Sequence, residues 1–98
     1  MTDNPYVEMP AGLVLERTSP EFTNDSVPPG LLRAHKVADH VTGRLVVREG
    51  SLVFVYEDEA DEPITVGSGN WVVIHPGRPH HVELAGPVRF VVEFHVAA

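Results

Sequence analysis

Five of the six histidines fall in two stretches, His35 and His40 in the first and His75, His80 and His81 in the second. Imidazoles gathered in this way point first to a bound metal ion. The chain has no cysteine, which excludes a disulfide framework, a thiolate metal site and a cysteine nucleophile. Any metal would therefore rest on His, Asp or Glu. Successive strand residues face opposite ways, so His80 and His81 cannot both serve one site. The Pro-Gly turn ahead of them and the stiffness of Pro79 single out His80. His35 follows the apolar pair Leu31-Leu32 and reads equally as a hydrogen-bonded strand residue. His75 reads as a rim residue able to touch a ligand, and His40 and His95 as surface or supporting groups. Arg33 and Arg44 are placed to capture an anion, whereas Arg78, in a turn, reads as a solvated side chain.

These side chains need a scaffold, and no window shows the 3.6-residue apolar period of an amphipathic helix. Short β-prone runs alternate instead with turn chemistry. Strands are expected over residues 6–9, 13–18, 31–36, 44–49, 51–57, 64–66, 70–75, 80–84 and 88–96. Gly50 is read as a tight bend joining two paired strands, and 19–29 as a loop. The acidic run 58–62 has no apolar anchor and reads as an exposed hairpin tip without chemistry. In 88–96 one face carries Val88, Phe90, Val92, Phe94 and Val96, and the other Arg89, Val91, Glu93 and His95. Periodicity alone places Glu93 outside. Trp71, Phe54, Tyr56, Phe90 and Phe94 are needed as core.

Ninety-eight residues with 43% hydrophobic content supply one core, so one domain over 1–98 is expected, with N-terminal strands and loop in 1–26 and the barrel core in 27–96. A net charge of −7 opposes a phosphate backbone and argues against nucleic acid, leaving a small molecule or anion, or another subunit, as partner. The first ten residues lack the basic and apolar regions of a signal peptide and no later run reaches membrane-spanning length, so a cytoplasmic protein without a membrane partner is expected. Several strands carry apolar residues on both faces, and a single barrel has one inside. The surplus is expected to pair in a homodimer, unless residues 6–18 cover it within the chain.

The stretch Gly69-Asn70-Trp71-Val72-Val73-Ile74-His75-Pro76-Gly77-Arg78-Pro79-His80 resembles the second motif of the cupin superfamily, a glycine followed at fixed intervals by a proline, a second glycine and a histidine. His75 stands in the proline's place. Further pieces, Pro28-Pro29-Gly30-Leu31-Leu32-Arg33-Ala34-His35, Arg44-Leu45-Val46-Val47-Arg48-Glu49-Gly50-Ser51-Leu52, Pro79-His80-His81-Val82-Glu83-Leu84 and Arg89-Phe90-Val91-Val92-Glu93-Phe94, extend it. Together they look like the small single-domain cupins related to the N-terminal domain of tellurite-resistance methyltransferases, from about Arg17 to Phe94.

The resemblance implies an all-β cupin fold, a double-stranded β-helix or jelly-roll barrel. It implies a divalent ion inside the barrel, zinc, iron, nickel or manganese, on His35, His80 and Glu93, the last matching an acidic position of the smaller family. His40, His75, His95 and Arg33 would stand near it as additional or supporting groups. Two usual ligands are missing, because Gly43 occupies the place of the first-motif glutamate and Val37 falls near that of its second histidine. Two imidazoles and a carboxylate would leave coordination open for substrate or dioxygen. The expected function is a metal-binding cupin of stress or detoxification type, oxygenase-, isomerase- or hydrolase-like if an enzyme. The alternative is a non-catalytic homodimeric module that binds a small ligand or senses a metal.

Overall fold

The computed structural model describes residues 4–33 and 35–98. β-Branched and aromatic residues fill the runs that become strands, while Gly, Pro, Asn and Asp stand at the joints, so extended segments with tight connections are locally favoured. Among the described residues there are seven strands: β1 Leu13–Thr18, β2 Phe22–Thr23, β3 Thr42–Tyr56, β4 Ile64–Gly67, β5 Trp71–Ile74, β6 His80–Glu83 and β7 Val88–Ala97. All pairings between them are antiparallel. The expected all-β class is the one adopted.

Strand β3 organises the rest. Its first half lies between β5 and β7, with β1 and β2 on the far edge of β7. Its second half lies between β4 and β6 in the second sheet. The core residues of β3 are odd-numbered before the crossing, Leu45 and Val47, and even-numbered after it, Leu52, Phe54 and Tyr56. A register shift against β7 between Val47 and Glu49 supplies the extra residue, and Gly50, at φ 79°, takes the left-handed backbone beside it. Gly50 is thus a bend within one strand and not the turn of a hairpin. The two halves have different partners, so neither pairs with the other.

Residues 31–36 do not form the expected strand. Pro28-Pro29 instead opens a 3-10 turn over Pro29–Leu32, with the Leu31 N–H donating to the Pro28 carbonyl at 3.0 Å. Proline fixes φ at a value suited to a helical start, and that local preference wins where no partner strand competes. Ala34 lies outside the described residues. His35 alone pairs in strand fashion, its N–H donating to the His80 carbonyl at 2.7 Å and its carbonyl accepting from His80 N–H at 2.8 Å.

The N-terminal segment takes both edges of the first sheet. Asn4 Nδ2 donates to the Trp71 carbonyl, Val73 N–H to the Tyr6 carbonyl and Trp71 Nε1 to the Val7 carbonyl, so residues 4–7 run along β5. By Leu13 the chain is paired with Ala97 of β7, beyond the opposite side of β3. Residues 6–9 are therefore an edge cover and not a ladder strand. Within 19–29, read as loop, Phe22–Thr23 pairs with β7, and Ser19 both donates its N–H to the Val92 carbonyl at 2.8 Å and accepts Val92 N–H on Oγ at 2.9 Å. On the face away from the core Val73 is 0% and Val91 3% exposed, so much of the surplus apolar surface is covered within the chain. Val14 and Leu15 of β1 stay exposed. Among the described residues no helix is long and apolar enough to cross a membrane.

Candidate functional site

A cavity of about 250 Å³ opens between the sheets. Leu45, Ile74, Val82 and Val92 line it from the strands, because each sits at a core-facing position of its alternation. Phe22, Leu31, Val37 and Phe94 add apolar walls. Its polar lining is Arg17, Ser19, His35 and His80. Ser19 Oγ is already engaged, donating to the Pro20 carbonyl and accepting from Val92.

His80 opens β6 and is 1% exposed. Its ring stacks on Phe54, with centroids 5.1 Å apart and planes 22° from parallel, and meets the His35 ring edge-on at 5.5 Å. Nδ1 lies 3.2 Å from the Arg78 carbonyl oxygen. A carbonyl only accepts, so Nδ1 carries the proton and Nε2 keeps its lone pair. Nε2 is buried and has no hydrogen-bond partner among the described residues. Burial, the largest cause, and the nearby His35 hold the imidazole below the usual histidine range, outweighing the Arg78 carbonyl. Neutral His80 is an acceptor in an apolar setting.

The structure brings His35 and His80 together and does not bring Glu93 to them. Val92 and Phe94 line the cavity, so the period of two turns Glu93 to the other face. There it is the cross-strand neighbour of Arg44, whose Nε donates to its carboxylate at 2.8 Å. The position that periodicity gives Glu93 prevails over the ligand role implied by resemblance. Among the described residues no group of three or more His, Cys, Asp or Glu is placed to hold a metal ion.

The other histidines lie elsewhere. His40 is exposed in the turn before β3. His75 is half-buried, with its ring 5.7 Å from Tyr6. His95 belongs to the Glu93 face, and its Nδ1 has no partner among the described residues. His81, opposite His80, is held between the Glu57 and Glu83 carboxylates. Arg33 is exposed at the end of the 3-10 turn and does not line the cavity.

Arg78 departs from its solvated reading. It donates to Asp58 at 2.7 Å and Glu59 at 3.2 Å, and its guanidinium lies 3.8 Å over the Tyr56 ring. Two carboxylates of the acidic tip thus clamp the turn that carries His80. Tyr56 fixes the same turn from beneath: its hydroxyl donates to the Val73 carbonyl at 2.6 Å and accepts His75 N–H at 3.1 Å. Burial, foremost, pushes Tyr56 up to about 12.

Because the folded value lies above the unfolded one near 10, the stability Tyr56 contributes is complete below about pH 10 and is lost as pH rises through about 12. Two units correspond to about 2–3 kcal/mol. Tyr56→Phe should unfold at lower urea than the parent at pH 8, with the gap closing toward pH 12. A gap independent of pH would show that the hydroxyl is not held as described.

Sequence reasoning missed Arg17, Ser19, Phe22 and Val37 as lining residues. The segment 19–29 carries no alternation, and only its pairing with β7 folds it over the cavity.

Comparison with known proteins places this arrangement. The TehB-like domain model matches residues 17–92. The chain belongs to the TehB-like domain family. A protein from Escherichia coli K12 of known crystal structure shares 24% identity with this TehB-like domain at a TM-score of 0.83, covering 93% of this chain and 97% of its own. TehB from Haemophilus influenzae shares 21% at a TM-score of 0.79; 91% of this chain is covered but only 33% of that protein. A cupin-2 domain containing protein from Shewanella frigidimarina gives 19% identity and a TM-score of 0.52, over 93% and 78% of the two chains. No curated protein matches. The fold of this TehB-like domain is the cupin jelly roll.

Proposed function

We propose that this TehB-like domain is a binding module for a small molecule seated between its two sheets, with His80 Nε2 as the polar anchor. The observation that carries the reading is the buried Nε2, without a partner among the described residues, beside a mostly apolar cavity. An unmade buried hydrogen bond is costly, and an apolar pocket with one or two placed polar groups is what small-molecule sites usually offer. A ligand bringing a hydroxyl or N–H to Nε2 would bury its apolar body and complete that bond at once. The family relation makes stress or detoxification the setting in which the natural ligand is sought.

A second reading places a divalent ion on His80 and His35. What favours it is the Nδ1–H bond to the Arg78 carbonyl, the type of contact that orients metal-binding imidazoles. Glu93 contributes nothing to such a site, being held by Arg44 on the other face. The described residues do not fit a centre with three protein ligands, and no reaction is assigned to the ion.

One experiment separates the readings. Untagged protein purified without chelators is analysed for metals and titrated with para-cresol, following the imidazole ¹⁵N signals. Binding with a shift at His80 Nε2, weakened about tenfold in His80→Leu, is expected for the ligand site. No binding of para-cresol or of its carboxylate-bearing analogue para-hydroxyphenylacetate would overturn that site. One equivalent of metal, lost in both His35→Ala and His80→Ala, would establish the second reading.

A further inference from the structure

We propose that the ligand of this cavity is a small organic acid, an apolar body of about one ring carrying a carboxylate, and that Arg17 is the residue that selects it. The proposal rests on the ligand-site reading above and names its chemical class.

Arg17 lies on β1 beside Thr18, and its guanidinium sits 4.1 Å from the centroid of the Phe94 ring. Both residues line the cavity. The stack fixes the plane of the guanidinium while leaving its N–H edge available. Among the described residues that edge meets no carboxylate. The contrast with the other arginines is informative: Arg44 holds Glu93, Arg48 holds Glu21, Arg78 holds Asp58 and Glu59, and Arg89 holds Glu49. Arg33 is the other arginine without such a partner there, and it stands away from the cavity.

With fourteen acidic residues against seven basic ones, carboxylates are in excess, so an arginine left unmatched at a pocket is not explained by scarcity of partners. Glu21, four positions on, is already shared between Arg48 at 3.1 Å and Arg89 at 3.8 Å. A planar guanidinium with a free edge suits the two oxygens of a carboxylate, which it binds in paired fashion. Besides the His35 imidazole, two polar groups still available at the cavity are complementary in kind: Arg17 donates to an anion, and His80 Nε2 accepts from a hydroxyl or N–H. The volume of about 250 Å³ lies below the usual range for drug-sized ligands, which limits the apolar body to roughly one ring or a short branched chain.

The test uses the full chain with para-cresol and para-hydroxyphenylacetate, which share the ring and phenol and differ in the carboxylate. Calorimetric titration at low salt should show para-hydroxyphenylacetate binding at least about tenfold tighter, the advantage shrinking as salt is raised. In Arg17→Gln the two affinities should converge, the advantage of para-hydroxyphenylacetate being lost, and Arg17→Lys should restore part of the difference. An amide spectrum matching the parent establishes that Arg17→Gln is folded, as expected for an exposed strand residue. Equal affinities in the parent, or an advantage that survives Arg17→Gln, overturn the assignment of ligand class and leave the ligand site standing. Failure of both compounds to bind overturns the ligand site itself.

Discussion

Gly50→Ala should lower the unfolding free energy by about 3 kcal/mol or more. Two separate effects add there. The backbone holds φ at 79°, which an L side chain rarely adopts. A Cβ would also fall inside contact distance of the Pro87 carbonyl oxygen and lie 3.1 Å from Val88 Cα, both main-chain atoms that no rotamer change can move aside. Gly69 is the internal control: its φ of 82° imposes the same conformational penalty, but nothing stands within 4 Å of a Cβ. Gly69→Ala should therefore cost only about 1 kcal/mol. Urea unfolding of the two variants measures the difference. Equal midpoints would show that the close approach of β3 to the Pro87–Val88 main chain is not a tight one.

Phe54→Ala should cost about 3–5 kcal/mol and at the same time weaken para-cresol binding. The ring is fully buried, meets Tyr56 edge-on at 5.0 Å and stacks on His80 at 5.1 Å. Removing it leaves a void against the imidazole that holds the free Nε2, so the anchor loses the surface that fixes its plane. Phe54→Leu, which fills most of the void without a ring face, should recover most of the stability and less of the affinity. If both variants bind para-cresol as the parent does, the stack does not position His80.

Local chemistry made much of this fold legible. The strands β1, β4, β5, β6 and β7 lie where turn residues and apolar alternation put them, within a residue or two at their ends. The face assignments also follow from alternation, His80 inward and His81 outward, and Glu93 away from the cavity. What sequence reading misjudged depends on partners distant in the chain. A left-handed glycine serves a hairpin turn and a bulge equally well, so Gly50 gave no sign that its flanking runs belong to one strand. The pair Leu31-Leu32 looks β-prone, yet the prolines ahead of it settle the backbone before any neighbouring strand can. Arg17 is invisible as a site residue in its own segment, since its role depends on Phe94, brought alongside only by the β1–β7 pairing. The same limit applies to Arg78, whose partners Asp58 and Glu59 looked like an idle acidic tip.

The passage of β3 through both sheets has a consequence for how the molecule opens. A strand hydrogen-bonded to β5 and β7 in one half and to β4 and β6 in the other leaves neither sheet an independent unit of unfolding. Amide protons of β3 flanking the crossing are then released only when the whole domain opens, and they should be among the slowest to exchange with deuterated water. A molecule held in the cavity touches strands of both sheets, Leu45, Ile74 and Val92 of one and His80 and Val82 of the other, so its full binding free energy is felt as protection across the barrel rather than in one loop.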